Sequence, residues 1–149
     1  MSTKLNPSLP ATTASDVRAD HEVRAVPPRT RAVGGFFLFT GGVHVGIVFA
    51  DTEAYRHFAD RALFAFVRTG WTDLFMASPV LWGLLVAAGE LTLAFLLLRG
   101  GLPARIGWVG VVTFHVLLML FGWGFLAWCV PALVFLVRSA RADWRRLGG

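Results

Sequence analysis

Residues 106–137 read IGWVGVVTFHVLLMLFGWGFLAWCVPALVFLV, and no Asp, Glu, Lys or Arg interrupts them. A helix rises about 1.5 Å per residue, so one straight helix of this length overreaches a hydrocarbon core of about 30 Å. Gly122 and Gly124 sit near the middle and offer a place to turn. The economical reading is a helical hairpin of two spans, about 103–120 and 124–137. A single tilted helix with a re-entrant end is the alternative.

Working outward, two more apolar stretches stand at about 33–50 and 79–98, each long enough to cross a membrane. The whole chain of 149 residues is 56% apolar and 15% charged, against about 25% charged in soluble domains. Its mean hydropathy of +0.63 points the same way. The expected fold class is all-α, an integral membrane four-helix bundle over residues 33–149 with a basic C-terminus. The composition excludes disorder over most of the length and an ordinary soluble enzyme. A single cysteine excludes an intramolecular disulfide and a cysteine-only metal site. No long run of polar residues marks a transport pathway.

Residues 1–32 differ from the rest. They carry Pro7, Pro10, Pro27 and Pro28 among Ser, Thr and Ala, without apolar periodicity, and read as a disordered polar tail. The net charge of +5 does not form one nucleic-acid-binding face. Arg24, Arg29 and Arg31 precede the first span, Arg99 and Arg105 lie between the second and third, and Arg138, Arg141, Arg145 and Arg146 follow the last. Basic residues so placed are topology signals and contacts for anionic headgroups. The expected partners are the lipid bilayer and either other membrane subunits or further copies of the chain, with no nucleic acid. The loop after the first span mixes charges, and the hairpin turn carries none. The positive-inside rule then puts both termini in the cytoplasm, in agreement with four spans. Trp71, Trp108 and Trp144 fall near expected boundaries, as aromatic anchors do.

Between the first two spans, Tyr55, Phe58, Ala59, Ala62, Leu63, Phe66 and Val67 recur at steps of three and four, with charges between them. That pattern predicts an amphipathic helix at the membrane interface. Asp51 or Thr52 would cap its start and Gly70 would end it.

Three ionisable side chains fall inside the spans: His44, Glu90 and His115. Such groups cost several kcal/mol in hydrocarbon unless paired or hydrated, which makes each a ligand or proton-relay candidate. Counted from the cytoplasmic span ends, His44 and His115 lie about 16 Å deep, and Glu90 and Cys129 about 12 Å. Facing one another, His44, His115 and Glu90 with Cys129 can bind a divalent metal. Two histidines can ligate a haem iron, and Glu90 with a histidine can relay protons beside a quinone. Interhelical hydrogen bonds that lock the bundle are the plainer use of the same groups. Gly42 and Gly46 have the spacing of close helix approach.

Two short motifs add a resemblance. One is Gly41-Gly42-Val43-His44 at the end of a Gly-rich first span, followed by an aromatic and charged loop from Tyr55 to Phe66. The other is Gly89-Glu90-Leu91, followed by Leu-rich sequence to Leu98 and a short basic turn. Over about residues 33–137 the chain resembles the DoxX-like family of small bacterial membrane proteins. It departs from that pattern in 91–98, which lacks the usual glycine. The resemblance implies a four-helix fold in the bacterial plasma (inner) membrane and an association with redox chemistry. Some relatives are linked to quinone-dependent oxidation of sulfur compounds, others to oxidative-stress complexes. The expected function is thus a redox-associated membrane protein with a midplane His/Glu site for a quinone-like ligand or metal. The alternative is a structural accessory subunit of a larger respiratory or envelope complex.

Overall fold

Proline opens two of the long helices at positions where its missing N–H is one the helix does not use. The computed structural model of the chain describes residues 26–148, and these form helices and turns without a strand. The elements are α1 (Pro28–Ala50), a short α2 (Ala65–Gly70), α3 (Pro79–Arg99), α4 (Gly101–Leu118) and α5 (Trp123–Trp144). Four helices are long and apolar enough to cross a membrane: α1, α3, α5, and α4 with its 3-10 extension to Phe121. Residues 1–25 of the expected polar tail lie outside the described residues. The end of that tail belongs to α1, which starts at Pro28 instead of residue 33. α5 likewise runs past the expected end at 137, because its arginines leave one face while the buried face continues through Ser139 and Asp143.

Each long helix buries one narrow stripe. On α3 it is Gly83, Ala87, Glu90, Ala94 and Leu97, alternating steps of four and three. On α4 it is Ala104, Gly107, Trp108, Val111 and His115. Such steps keep one seam facing a neighbour. α1 and α3 make the most extensive contact, α3 packs on α4, α4 on α5, and α5 returns to α1. Small residues set the α1–α3 distance. A Cβ on Gly34 would lie 2.9 Å from Leu98 Cγ, and one on Gly41 would lie 2.9 Å from Leu91 Cγ and 3.3 Å from the Ala87 carbonyl.

The main apolar core joins Val33, Phe37, Leu97, Trp108, Val111 and Leu136, and Leu147 folds back onto it. A polar knot lies at the same end. The Thr30 hydroxyl donates to Asp143 Oδ2 at 2.9 Å, and the Trp108 indole donates to Thr30 Oγ1 at 3.3 Å. All three side chains are buried. They tie α1, α4 and α5 together.

The uncharged apolar stretch is a hairpin, not one tilted helix. Gly122 breaks it with φ of 117°. A Cβ there would run into the Arg61 carbonyl oxygen. The neighbouring Leu63 N–H donates to the Leu120 carbonyl at 2.9 Å, so the turn is held against the connector.

The connector itself departs from the single amphipathic helix expected over 55–67. Asp51 does cap a start, accepting from the Glu53 N–H at 2.9 Å, but the element is a 3-10 turn, Thr52–Tyr55. Successive three-residue turns follow to Ala62, then α2 and a π turn, Trp71–Phe75. Gly70 is the last residue of α2, in helical conformation, and the chain passes there into the π turn. Backbone acceptors explain the break. The Tyr55 carbonyl receives the Trp71 indole N–H at 2.8 Å, and the Ala62 carbonyl receives Arg68 Nη1 at 2.8 Å. A continuous helix would have used these carbonyls for Ala59 and Phe66. Tyr55, Ala59 and Ala62 face inward, whereas Leu63, Phe64 and Phe66 are exposed.

Gly122→Ala should destabilise the protein by at least about 2 kcal/mol, through a left-handed backbone and the collision with Arg61. Gly124→Ala, at a helical position where an added Cβ meets nothing within 4 Å, should be neutral or slightly stabilising. Thermal unfolding of both variants in detergent tests this, and equal melting temperatures would contradict it.

Candidate functional site

The structure brings two of the three ionisable candidates together and keeps the third apart. His44 projects from α1 toward the connector. Its Nδ1 lies 2.8 Å from Tyr55 Oη, and the two rings are parallel within 6° at 5.8 Å. Tyr55 is 3% exposed. It rests on α3 where Gly83 has no side chain, a Cβ there standing 3.2 Å from the phenol oxygen. Trp71 and Phe75 close over it, with Phe75 edge-on at 5.2 Å. Phe58, Phe121 and Phe125 continue this aromatic layer, so the hairpin turn and the connector share one cap.

Glu90 enters from the α3 seam. Its Oε2 lies 3.9 Å from His44 Nε2, beyond hydrogen-bond length. Among the described residues that buried oxygen has no hydrogen-bond partner. The Thr40 hydroxyl, on the same helix as His44, donates to the Phe37 carbonyl at 3.3 Å. Two proton arrangements fit this geometry. With the Tyr55 O–H donating to Nδ1, the neutral ring carries its hydrogen on Nε2, toward Glu90. With Nδ1–H donating to Oη, the phenol hydrogen turns to the His44 carbonyl at 3.5 Å and Nε2 presents a lone pair to Glu90. In either one the three side chains form a chain with a gap at its last step. Chemically it can hold the connector on α1 and pass a proton between the cap and the seam.

His115 lies elsewhere. Its Nδ1 donates to the Val111 carbonyl at 2.9 Å, since a carbonyl only accepts. Its ring packs on Phe37, 6.0 Å between centroids, and on Phe114. Phe37 and His44 are two turns apart on α1, about 10 Å along the axis. The common depth expected for His44 and His115 is thus not kept, because α1 begins earlier than the sequence suggests. His115 opens instead into a cavity of about 390 Å³ between α1, α4 and α5. Phe36, Phe37, Trp128 and Phe135 wall it, and Pro131 and Ala132 form its floor on α5. His115 is the one ionisable side chain in its lining, and the Trp128 indole N–H is the other polar group there.

The metal set expected from His44, His115, Glu90 and Cys129 is not assembled. Among the described residues no group of three or more His, Cys, Asp or Glu is placed to hold an ion. Nor do the two histidines flank a common space for a haem iron, because each is committed to different neighbours. Cys129 is fully buried and packs as a small apolar residue.

No family model matches the sequence, and neither a curated protein nor a solved structure matches it.

Two polar groups escaped the sequence reading. Tyr55 was visible only as an apolar member of an amphipathic pattern. Asp143 lay beyond the assumed end of the last span. A signal for Asp143 exists: Leu136, Ser139 and Asp143 recur at steps of three and four, while Arg138, Arg141 and Arg145 fall between them.

Burial, and then the Glu90 carboxylate, raise the Tyr55 phenol above its usual value of about 10. Tyr55 is the chain's single tyrosine, so the ultraviolet absorbance of tyrosinate reports this site alone. Its titration midpoint should lie above that of free tyrosine. Glu90→Gln removes a negative charge that opposes ionisation and should bring the midpoint down, with the share due to burial remaining. An unchanged midpoint in Glu90→Gln would show that the two groups do not interact.

Proposed function

We propose that the chain is a redox-associated, multi-pass membrane protein of the DoxX-like type that binds a quinol-like ring beside His115. In this reading the four long helices form a membrane bundle. The connector lies at the interface with Leu63, Phe64 and Phe66 in the lipid, and both termini face the cytoplasm of a bacterium. The observation that carries the ligand is the aromatic cavity with a single ionisable side chain. Small-molecule sites are mostly apolar and of this size, with few polar groups to orient the ligand. Because Nδ1 of His115 is committed to Val111, the neutral ring offers Nε2 as an acceptor. That suits a ring hydroxyl, as in a quinol. The aromatic walls suit a flat ring, and the opening between helices suits an apolar tail. The chain then acts as an accessory that holds the ring for a partner oxidoreductase.

A structural subunit of a larger membrane complex is the second reading. It is favoured by the share of each apolar helix window that the chain itself buries, 22–28%. The remaining faces are free for lipid or for neighbouring subunits.

A short-tailed benzoquinol should quench the tryptophan fluorescence of the detergent-purified chain saturably, Trp128 being in the cavity wall. His115→Ala should weaken binding about tenfold, the loss of one hydrogen bond in an apolar site. Ala132→Phe, which fills the cavity, should abolish saturable quenching, and Glu90→Gln should leave it unchanged. Wild-type binding by both cavity variants would remove the ring site and leave the structural reading.

A further inference from the structure

A second groove runs between α4 and α5 on the outside of the molecule, at the end where the C-terminus lies. It measures about 520 Å³. Its walls are Trp108, Val109, Val112 and Thr113 from α4 and Val137, Ala140 and Trp144 from α5. Arg141 and Arg145 stand at its mouth. They are one helical turn apart, so their side chains rise from the same face. Both are exposed. Among the described residues neither has an acidic partner within ion-pair distance. Asp143, between them in sequence, points inward to Thr30 and does not compensate them.

The groove wall is held in place from α4. Arg105 donates to the Trp144 carbonyl through Nε at 3.2 Å and Nη2 at 2.8 Å. Its guanidinium also sits 5.1 Å from the centre of the Trp144 ring. Arg105 thereby fixes the indole with two of its five N–H donors, while Arg141 and Arg145 make no ion pair among the described residues.

We propose that this groove is a binding site for one anionic glycerophospholipid of the adjacent leaflet. An acyl chain lies along the valines and Ala140, and the headgroup phosphate is received by Arg141 and Arg145. Three features select this occupant. Apart from Thr113 the walls along the helix axis are apolar, as a hydrocarbon chain requires. The charge stands at one end only, at the level of a tryptophan, where a headgroup would be. Two guanidinium forks match phosphate geometry, and their doubled charge disfavours a zwitterionic headgroup with its own cation.

The test uses the detergent-purified full chain, offered phosphatidylglycerol and phosphatidylcholine in equal amounts and read by native mass spectrometry. One phosphatidylglycerol should be retained in preference to phosphatidylcholine. Arg141→Gln/Arg145→Gln should reduce that retention roughly thirtyfold. Arg138→Gln/Arg146→Gln removes the same charge from outside the groove lining and should retain lipid as wild type does. All four positions are exposed, and unchanged thermal unfolding will show that each variant is folded. Equal loss in the two double variants would reduce the effect to general electrostatics and overturn the proposal. So would the absence of a headgroup preference. Displacement of the lipid by inorganic phosphate at equal concentration would also overturn it, since the apolar groove would then contribute nothing.

Discussion

The close approach of α1 and α3 is the constraint on which the rest depends. Gly34 and Gly41 let Leu98, Leu91 and the Ala87 carbonyl come against the α1 backbone. In hydrocarbon, helices gain little from burying apolar groups in one another, because lipid is equally apolar. Packing at short range and interhelical hydrogen bonds must hold them instead. Without that approach Glu90 would not reach the neighbourhood of His44, and Tyr55 would have no bare helix surface at Gly83 to lie on.

Glu90 occupies a seam position that Gly83, Ala87 and Ala94 fill elsewhere with small side chains. A carboxyl among them is a local contradiction, and its unpartnered oxygen marks where the contradiction is left open. The opposite end of the molecule treats its buried carboxyl differently. Asp143 receives a hydroxyl, and that hydroxyl receives an indole, so acceptor and donor are matched in turn. One end is a completed hydrogen-bond network and the other an incomplete one. Incomplete buried networks persist where function or a visiting group justifies them.

The four long helices were legible because their apolar lengths match one physical dimension, the thickness of a bilayer core. The turn at Gly122 was legible because an uncharged stretch of that length must fold back. Helix ends were less so. The residues before Val33 and after Val137 read as outside the spans by polarity, yet α1 starts at Pro28 and α5 runs to Trp144, with their polar residues on a buried or solvated face. That error in the start of α1 misplaced His44 in depth. The pairing of His44 with Glu90 was among the candidates, but Tyr55 was not. Its role comes from a connector whose carbonyls are taken by Trp71 and Arg68, an arrangement that periodicity cannot express. Cys129 and His115 were grouped with the others by level alone, and level says nothing about which way a side chain faces.

The hydrogen bond from Thr30 to Asp143 joins positions 113 residues apart. Thr30 lies in the first turn of the first long helix and Asp143 in the last turn of the final one. The bond therefore closes the order of helices into a ring: α1 meets α5 through a side-chain pair as well as through apolar packing. Because the Thr30 oxygen also accepts from Trp108 on α4, loss of the Asp143 carboxyl would leave a buried hydroxyl hydrogen without its acceptor while the indole bond remained.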